Sequence, residues 1–152
     1  MDDAWLDPEE QQAWSGLMTM FNLLDVALDR QLQQDSGLSH TQYGILSRLS
    51  RQPGRTMHMS ELAASTSSSQ SRLSHAVTGM EAKGWVSRSR CLSSRRMVHA
   101  TLTAAGYDLA VKAAPGHVRE VRRLVFDQLS RERMRSLIGV TQAVLNALEP
   151  NR

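Results

Sequence analysis

The chain has 152 residues, of which 41% are hydrophobic and 22% charged, with a formal net charge of +3, a composition and length suited to one globular domain. Its only cysteine, Cys91, excludes an intramolecular disulfide framework and favours a reducing compartment. The acidic N-terminus lacks the pattern of a signal peptide, and no apolar run reaches the ~20 residues that span a bilayer, so we expect a cytoplasmic protein that does not enter the membrane.

Charge is distributed unevenly along the chain. Residues 1–35 carry eight acidic side chains against Arg30 alone, whereas residues 55–100 carry seven basic side chains against Glu61 and Glu81. The basic middle favours a polyanionic partner. A solvated basic face is the alternative interpretation.

The first predicted helix covers residues 8–35. Asp7 can cap it, Pro8 fits its first position, and Glu10 can complete a capping box. Because this helix is longer than a small domain needs, we expect part of it to pack on another subunit. Its apolar residues recur at steps of three and four and form one stripe: Trp14, Leu17, Met18, Phe21, Leu24, Leu28 and Leu32.

Two shorter helices follow. Ser39 and Gln42 form a second candidate capping box, which opens a helix that Pro53-Gly54 ends. A short extended piece around Met57 then precedes a compact helix through residues 61–64.

The serine-rich stretch after Thr66 predicts the next helix, with Ser69 as its N-cap. At 100° per residue, Leu73, Ala76, Val77 and Met80 face the core. The opposite face is small and polar and has no acid, which suits a phosphate backbone and a major groove better than an ordinary surface helix. The DNA-binding candidates of this helix are Ser69, Gln70, Ser71, Arg72, Ser74, His75 and Thr78.

A β-hairpin is predicted after Gly84, with strands over residues 85–90 and 97–102 and an arginine-rich tip. Helix, turn, helix and basic hairpin together predict a winged helix-turn-helix, in which the second helix enters the major groove and a wing arginine reaches the minor groove. Arg88 and Arg90 are expected to hold phosphates or neighbouring acids rather than to read bases. The DNA-binding candidates of the wing are Arg88, Arg90, Arg95 and Arg96.

The remaining chain is predicted to be helical. Thr103 caps a helix from 104 to about 113, which Pro115-Gly116 interrupts or restarts, and Ser130 caps the last helix. With the first helix, these helices suggest a dimerisation layer. The predicted fold is mainly α with a small β-wing: a winged helix-turn-helix with N- and C-terminal dimerisation helices.

Five segments, in this order and spacing, resemble the MarR family of bacterial transcriptional regulators: LSHTQYGIL (38–46), MSELAAS (59–65), SRLSHAVTGMEAKGWVSR (71–88), RRMVHATLTAAG (95–106) and AAPGHV (113–118). The resemblance implies a single MarR-like domain over residues 1–152, with a DNA-binding lobe at 37–102 and dimerisation helices at 1–36 and 103–152. It further implies a homodimer that represses from a palindromic operator and is released by a small phenolic or xenobiotic ligand.

The resemblance also assigns residues. Residues 69–75 match the DNA-facing start of the family's recognition helix. The family's Asp-x-Arg in the wing corresponds to Ser94-Arg95-Arg96, so the arginine is kept and serine replaces the aspartate. Without that acid the wing tip is more positive, and Arg95 and Arg96 are both candidates for the minor groove and its phosphates.

Three residue sets have competing interpretations. Trp14, Phe21 and Tyr43 lie where family members bind ligands, although aromatic residues at helical spacing are more often core. Cys91 has arginine neighbours that could lower its pKa for redox sensing, but a packed or bystander thiol is commoner. Ser74 and His75 diverge by ~100° on a helix, so they predict no catalytic pair.

The five histidines are scattered without metal-ligand spacing, and the chain has no glycine-rich phosphate loop. We therefore expect no enzyme, no metal and no cofactor. The alternative function is a MarR-like protein-interaction module that has lost specific DNA binding.

Overall fold

The computed structural model describes residues 5–66, 68–91 and 94–149, with the backbone alone at Cys91 and residues 94–96. Within these residues the chain forms six α-helices and three strands, which confirms a mainly α fold with a small sheet. The elements are α1 (Pro8–Ser36), α2 (His40–Ser50), β1 (Thr56–His58), α3 (Met59–Ser65), α4 (Gln70–Ala82), β2 (Val86–Cys91), β3 (Ser94–Leu102), α5 (Ala104–Leu124) and α6 (Arg131–Leu148).

The predicted helix caps are present. Asp7 Oδ1 accepts from the Glu10 backbone N–H at 2.8 Å, and Glu10 Oε2 accepts from the Asp7 N–H at 2.9 Å. Ser39 and Gln42 form the same reciprocal pair at 3.1 and 3.0 Å. These bonds satisfy N–H groups that have no partner inside the helix, so the starts of α1 and α2 follow from residues three positions apart.

The strands form one antiparallel sheet in the order β1-β3-β2. Met57 pairs with Ala100 on one side of β3, and Arg88 pairs with Ala100 on the other. The short extended piece predicted near Met57 is therefore β1, which adds a strand to the sheet beside the predicted wing of β2 and β3.

The helices and the sheet of residues 32–113 pack around one hydrophobic core. It takes side chains from the end of α1, from α2 to α4, from β2 and β3, and from the first half of α5. Burial of this apolar surface is the main term that stabilises this part of the chain. The largest fully buried side chains are Leu32, Leu38, Ile45, Leu46, Leu49, Leu62, Leu73, Val77 and Met80.

Helix α5 runs without interruption from Ala104 to Leu124, so the predicted break at Pro115 is wrong. Proline removes one helical hydrogen bond and disfavours the interior of a helix by ~3 kcal/mol or more. Contacts on both sides offset this cost, because Ala113 is buried in the core and the His117 ring lies 4.4 Å from that of Tyr43.

The chain divides into two compact units after His117.

Two helical surfaces leave large apolar side chains uncovered. On α1, Trp14 and Phe21 are 53% and 55% exposed, although Leu28 and Leu32 of the same predicted stripe are buried. Helix α6 has no buried residue, and Val144 and Leu148 are 51% and 71% exposed. In the described part of the chain, no helix combines the length and apolar character needed to cross a membrane.

Candidate nucleic-acid interface

Helix α4 separates an apolar face from a polar one, as its sequence predicts. Leu73, Val77 and Met80 are at most 1% exposed and point into the core. Ser74 is partly buried, while the rest of the predicted DNA-binding set on this helix and its cap is exposed: Ser69, Gln70, Ser71, Arg72, His75 and Thr78. The core thus fixes the helix without using the side chains of its outer face.

The turn before α4 is held by an arginine from α2. Arg48 Nε donates to the Ser65 carbonyl at 2.6 Å, and its Nη1 donates to the Gly44 carbonyl at 3.2 Å. Burial, then the nearby charge of Arg51, lowers the pKa of Arg48 from its ordinary value, and a guanidinium keeps its proton in proteins. A permanent cation therefore caps the carbonyl end of α3 and orients the segment that leads into α4.

The start of α4 is electropositive. Ser69 Oγ accepts from the Arg72 backbone N–H at 3.2 Å, as the sequence predicts, and the first turn has no acidic residue. The helix dipole adds a partial positive charge at this end. Together with the exposed Arg72 side chain, this arrangement is able to hold an anion such as a backbone phosphate.

Arg88 has a different environment from Arg90, the other predicted wing arginine whose side chain the structure describes. Its Nη2 lies 2.6 Å from Glu81 Oε2, and its backbone N–H donates to Glu81 Oε1 at 2.8 Å. The bond to Arg88 and its charge hold the pKa of Glu81 below its ordinary value despite partial desolvation. The expectation of a neighbouring acid thus describes Arg88, and its charge is largely neutralised within the protein.

Arg90 is exposed on β2 and pairs across the sheet with Val98. The two wing-tip candidates, Arg95 and Arg96, have side chains outside the described residues. The same holds for the thiol of Cys91 and for the Ser94 side chain that replaces the family's aspartate. Of the predicted wing contacts, Arg88 and Arg90 are therefore the ones whose surroundings the structure defines.

Two further basic residues of the middle segment lie against aromatic rings. The Arg55 guanidinium carbon is 3.6 Å from the centroid of the Tyr107 ring, and Lys83 Nζ is 4.5 Å from that of Trp85. Cation–π contacts of this kind keep the charge but restrain the side chain. Arg55 and Lys83, like Arg88, are therefore basic residues of the middle segment whose charges are held in place by neighbouring groups.

The three aromatic residues predicted to line a ligand pocket have unlike environments. Tyr43 is buried in the core, where desolvation raises its pKa, whereas Trp14 and Phe21 are exposed on α1. In the described residues, no ring contact joins Tyr43 to either of them; its ring neighbour is His117. The pocket remains a prediction, because Trp14 and Phe21 are exposed and do not enclose a cavity with Tyr43 among the described residues.

Sequence reasoning missed two histidine clusters. His117 lies between Tyr43 and His40, and His40 Nδ1 is 2.6 Å from Asp25 Oδ1. Burial, and secondly the neighbouring His40, lowers the pKa of His117. The members of this cluster come from α1, α2 and α5, so no local pattern in the sequence links them.

The second cluster is the pair His58 and His99, whose rings are tilted by 32° with centroids 4.1 Å apart across β1 and β3. Only the strand register brings the two rings together. Across residues 5–66, 68–91 and 94–149, no group of three or more histidine, cysteine or acidic side chains could hold a metal ion.

The chain is similar in sequence and in fold to known regulators. The model of the MarR family matches residues 38–98. Sco3205, a MarR family transcriptional regulator from Streptomyces coelicolor solved in complex with DNA, is 44% identical with a TM-score of 0.91, covering 97% of this chain and 96% of that one. AbsC, a MarR family transcriptional regulator from the same organism, is 39% identical with a TM-score of 0.89, covering 97% and 99%.

A more distant match is BpsR of Bordetella bronchiseptica, whose structure describes the regulation of its DNA binding by 6-hydroxynicotinic acid. It is 18% identical with a TM-score of 0.77 and covers 88% of this chain and 98% of that one, so it shows a shared fold alone. No curated protein sequence matches the chain.

Proposed function

The chain belongs to the MarR family of transcriptional regulators, and from this we propose that it binds a palindromic operator in double-stranded DNA as a homodimer and regulates transcription there. The observation that carries the proposal is the outer face of α4. This face is polar, free of acids near the helix start, and exposed by a helix that the core holds in place. Such a face has the hydrogen-bonding groups that distinguish base pairs in the major groove.

In the proposed interface, different side chains contact the phosphates and the bases. Arg72 and Arg90, with the predicted tip residues Arg95 and Arg96, neutralise phosphates or enter the minor groove. Their contribution makes affinity fall as salt rises. The remaining polar side chains of α4 contact base edges and supply sequence preference. The proposed lobe covers residues 37–102.

The proposed dimer is supported by the two uncovered apolar surfaces on α1 and α6. Exposed apolar residues that recur along one helix face mark a surface that a partner covers. A second copy of this chain is the occupant we propose, with residues 1–36 and 103–152 forming the dimerisation layer. Two-fold symmetry then places two copies of α4 in successive major grooves about 34 Å apart, which is why the operator is palindromic.

Repression by occupying the promoter is the outcome we propose, and it includes no catalytic step. The site of action is the cytoplasm. A small phenolic or xenobiotic effector would act by favouring dimers in which the two copies of α4 no longer match the groove spacing. The region around Trp14, Phe21 and Tyr43 is the proposed place for it.

The test is binding of the purified full chain to its own upstream intergenic DNA. A scrambled duplex of the same length and composition serves as the reference, at two salt concentrations. We expect preferential binding that weakens at the higher salt. The variant Arg72→Glu should abolish the preference, whereas Arg135→Glu, the same charge change on the polar side of α6, should retain it. Equal and feeble binding to both duplexes would be followed by a search of fragments from the whole genome. If no fragment is preferred there either, the result contradicts the proposal and favours the protein-interaction module.

A further inference from the structure

Arg88 connects the wing to the outer side of α4. Its Nε donates to Glu81 Oε2 at 2.7 Å, its Nη2 donates to Thr78 Oγ1 at 2.9 Å, and its Nη1 donates to Ser74 Oγ at 3.3 Å. These three partners stand four and three residues apart on α4 and therefore share one side of the helix. A single guanidinium thus contacts two of the hydroxyls that the sequence assigns to DNA.

The direction of these hydrogen bonds follows from the chemistry of the groups. A guanidinium has N–H donors and no acceptor, so both hydroxyl oxygens must accept from Arg88. A serine or threonine hydroxyl has one proton to donate. What each hydroxyl can offer to DNA depends on where its proton goes.

Thr78 has already used its proton. Its Oγ1 donates to the Ser74 carbonyl at 2.9 Å while it accepts from Arg88. Its hydroxyl is therefore engaged on both sides within the protein. Thr78 therefore has no hydroxyl proton left to donate to DNA.

Ser74 is in the opposite situation. Among the described residues, its Oγ accepts from Arg88 and donates to no protein acceptor. It also lines an open cleft of about 180 Å³ whose other walls are Met59, Gln70, Arg88 and Val98. Because Arg88 donates to this oxygen, the hydroxyl proton is directed away from the guanidinium and is available to an acceptor that enters the cleft.

We propose that Arg88 is a positioning residue that makes Ser74 a dedicated hydrogen-bond donor to an acceptor on a base edge, namely purine N7, guanine O6 or thymine O4, while Thr78 donates no hydrogen bond to DNA. The inference rests on the proposed DNA-binding function, and it specifies that Ser74 acts in the interface as a hydrogen-bond donor and not as an acceptor. In the major groove, acceptors and donors distinguish the base pairs, so a donor of fixed direction selects among them.

Glu81 stabilises this arrangement. Its Oε2 accepts from the Arg88 guanidinium and its Oε1 accepts from the Arg88 backbone N–H, so both the side chain and the backbone of Arg88 are held against α4. Both side chains are less than one-third exposed, at 28% for Arg88 and 29% for Glu81. Such a pair orients its neighbours more reliably than a fully exposed one, whose side chains move freely.

The test uses the full chain and its operator, with duplexes that each lack one major-groove acceptor. Replacement by 7-deazapurine removes N7, 2-aminopurine removes guanine O6, and a thymine analogue without O4 removes the third. The wild type should lose roughly 2- to 10-fold in affinity at one position of each half-site, the value of one hydrogen bond. Ser74→Ala should lose as much on the intact operator and no longer respond at that position.

A second set of variants tests the role of Arg88. The double variant Glu81→Gln/Arg88→Met keeps the net charge, and its response at the Ser74 position should fall toward that of Ser74→Ala. Arg88→Lys, whose ammonium cannot replace the guanidinium fork, should lose part of the response and guards against a folding failure of the double variant. Arg90→Met is the matched control on the same strand: it should weaken binding to all these duplexes by the same factor.

The outcomes separate the inference from the function. If the wild type does not prefer its operator to scrambled DNA, the proposed function fails first. If it does prefer it, an identical acceptor response in the wild type and Ser74→Ala would overturn the inference. A response of Ser74 to the loss of a base donor, such as adenine N6, would overturn it as well.

Discussion

Helices α4 and α6 are both amphipathic, but they use their apolar faces in different ways. Helix α4 buries Leu73, Val77 and Met80 in the core of its own chain, whereas α6 buries no residue. The polar face of α4 is therefore available to a partner while its position is fixed. The apolar side chains of α6 are not buried among the described residues, so this face suits a protein partner.

The difference teaches how one short chain recognises two unlike surfaces. A polar face held by a finished core suits DNA, because its side chains need not be spent on folding. An unfinished apolar face suits a second protein surface, because burial is the driving force of most protein association. The same contrast exists within α1, whose Leu28 and Leu32 are buried while Trp14 is exposed.

The largest effect should come from adding charge to the apolar face of α6. Val140→Glu/Val144→Glu would place two carboxylates where we propose the dimer interface, and desolvating them costs several kcal/mol. We expect a monomer in sedimentation equilibrium and loss of operator binding. Gln142→Glu/Asn146→Glu adds the same charge on the opposite side of α6 and should remain dimeric. A dimeric first variant would show that this face is not the interface.

The next effect is on the stability of the compact unit Met1–His117. A Cβ added at Gly106 would lie 2.1 Å from the Trp85 carbonyl oxygen and 2.7 Å from Leu102 Cδ1. Overpacking of this kind lowers the free energy of unfolding by about 1–3 kcal/mol or more, so Gly106→Ala should show a lower urea midpoint. Gly79→Ala is the control: apart from its chain neighbours and its own helix backbone, nothing lies within 4 Å of the added Cβ, and the helix should gain about 0.5–1 kcal/mol. Equal stability of the two variants would contradict the packing described here.

A smaller effect should define how far the DNA-binding surface extends from α4 into the wing. Arg96→Ala should weaken operator binding severalfold and reduce the dependence of affinity on salt by about one phosphate contact. Fluorescence anisotropy titrations at several salt concentrations measure both quantities. Unchanged affinity and slope would remove the wing tip from the interface.

The smallest effect concerns pH and the cluster around His117. Its pKa is lowered in the folded chain, so the folded state disfavours the protonated ring. The stabilising contribution of the neutral ring is present above the ordinary histidine pKa and is lost as pH falls through the lower folded value. The groups that face His117 are His40, Tyr43 and, through His40, Asp25.

Urea unfolding at pH 7.5 and pH 5.5 measures this contribution. The wild type should lose more stability between the two values than His117→Phe, which keeps an aromatic ring but cannot be protonated. An equal loss in both proteins would assign the pH dependence to other groups.

Local signals in the sequence predict much of this fold. The caps at Asp7, Ser39 and Ser69 depend on residues three positions apart, and all three are confirmed by hydrogen bonds. The buried side of α4 follows from the helical repeat alone. The order of helices and strands then leaves few arrangements other than a winged helix.

Features that depend on distant contacts were not predictable in the same way. The continuity of α5 through Pro115 depends on contacts with the core and with Tyr43, which local propensity ignores. The bonds from Arg88 to Ser74 and Thr78 require the wing to lie beside α4, so the sequence shows three polar residues but not which of them are already engaged. The pairing of His58 with His99 depends on the strand register.

The bonds of Arg88 also bear on how the DNA preference proposed for this chain can change. Gln70, Ser71 and His75 make no side-chain hydrogen bond within the described residues, so substitutions there can alter the preferred DNA sequence without disturbing the fold. Ser74 and Thr78 are tied to Arg88, and a change at either must be accommodated by the wing. Evolution of a new operator, or its redesign, should therefore proceed through the free positions first and reach the tethered ones only together with residues 81 and 88.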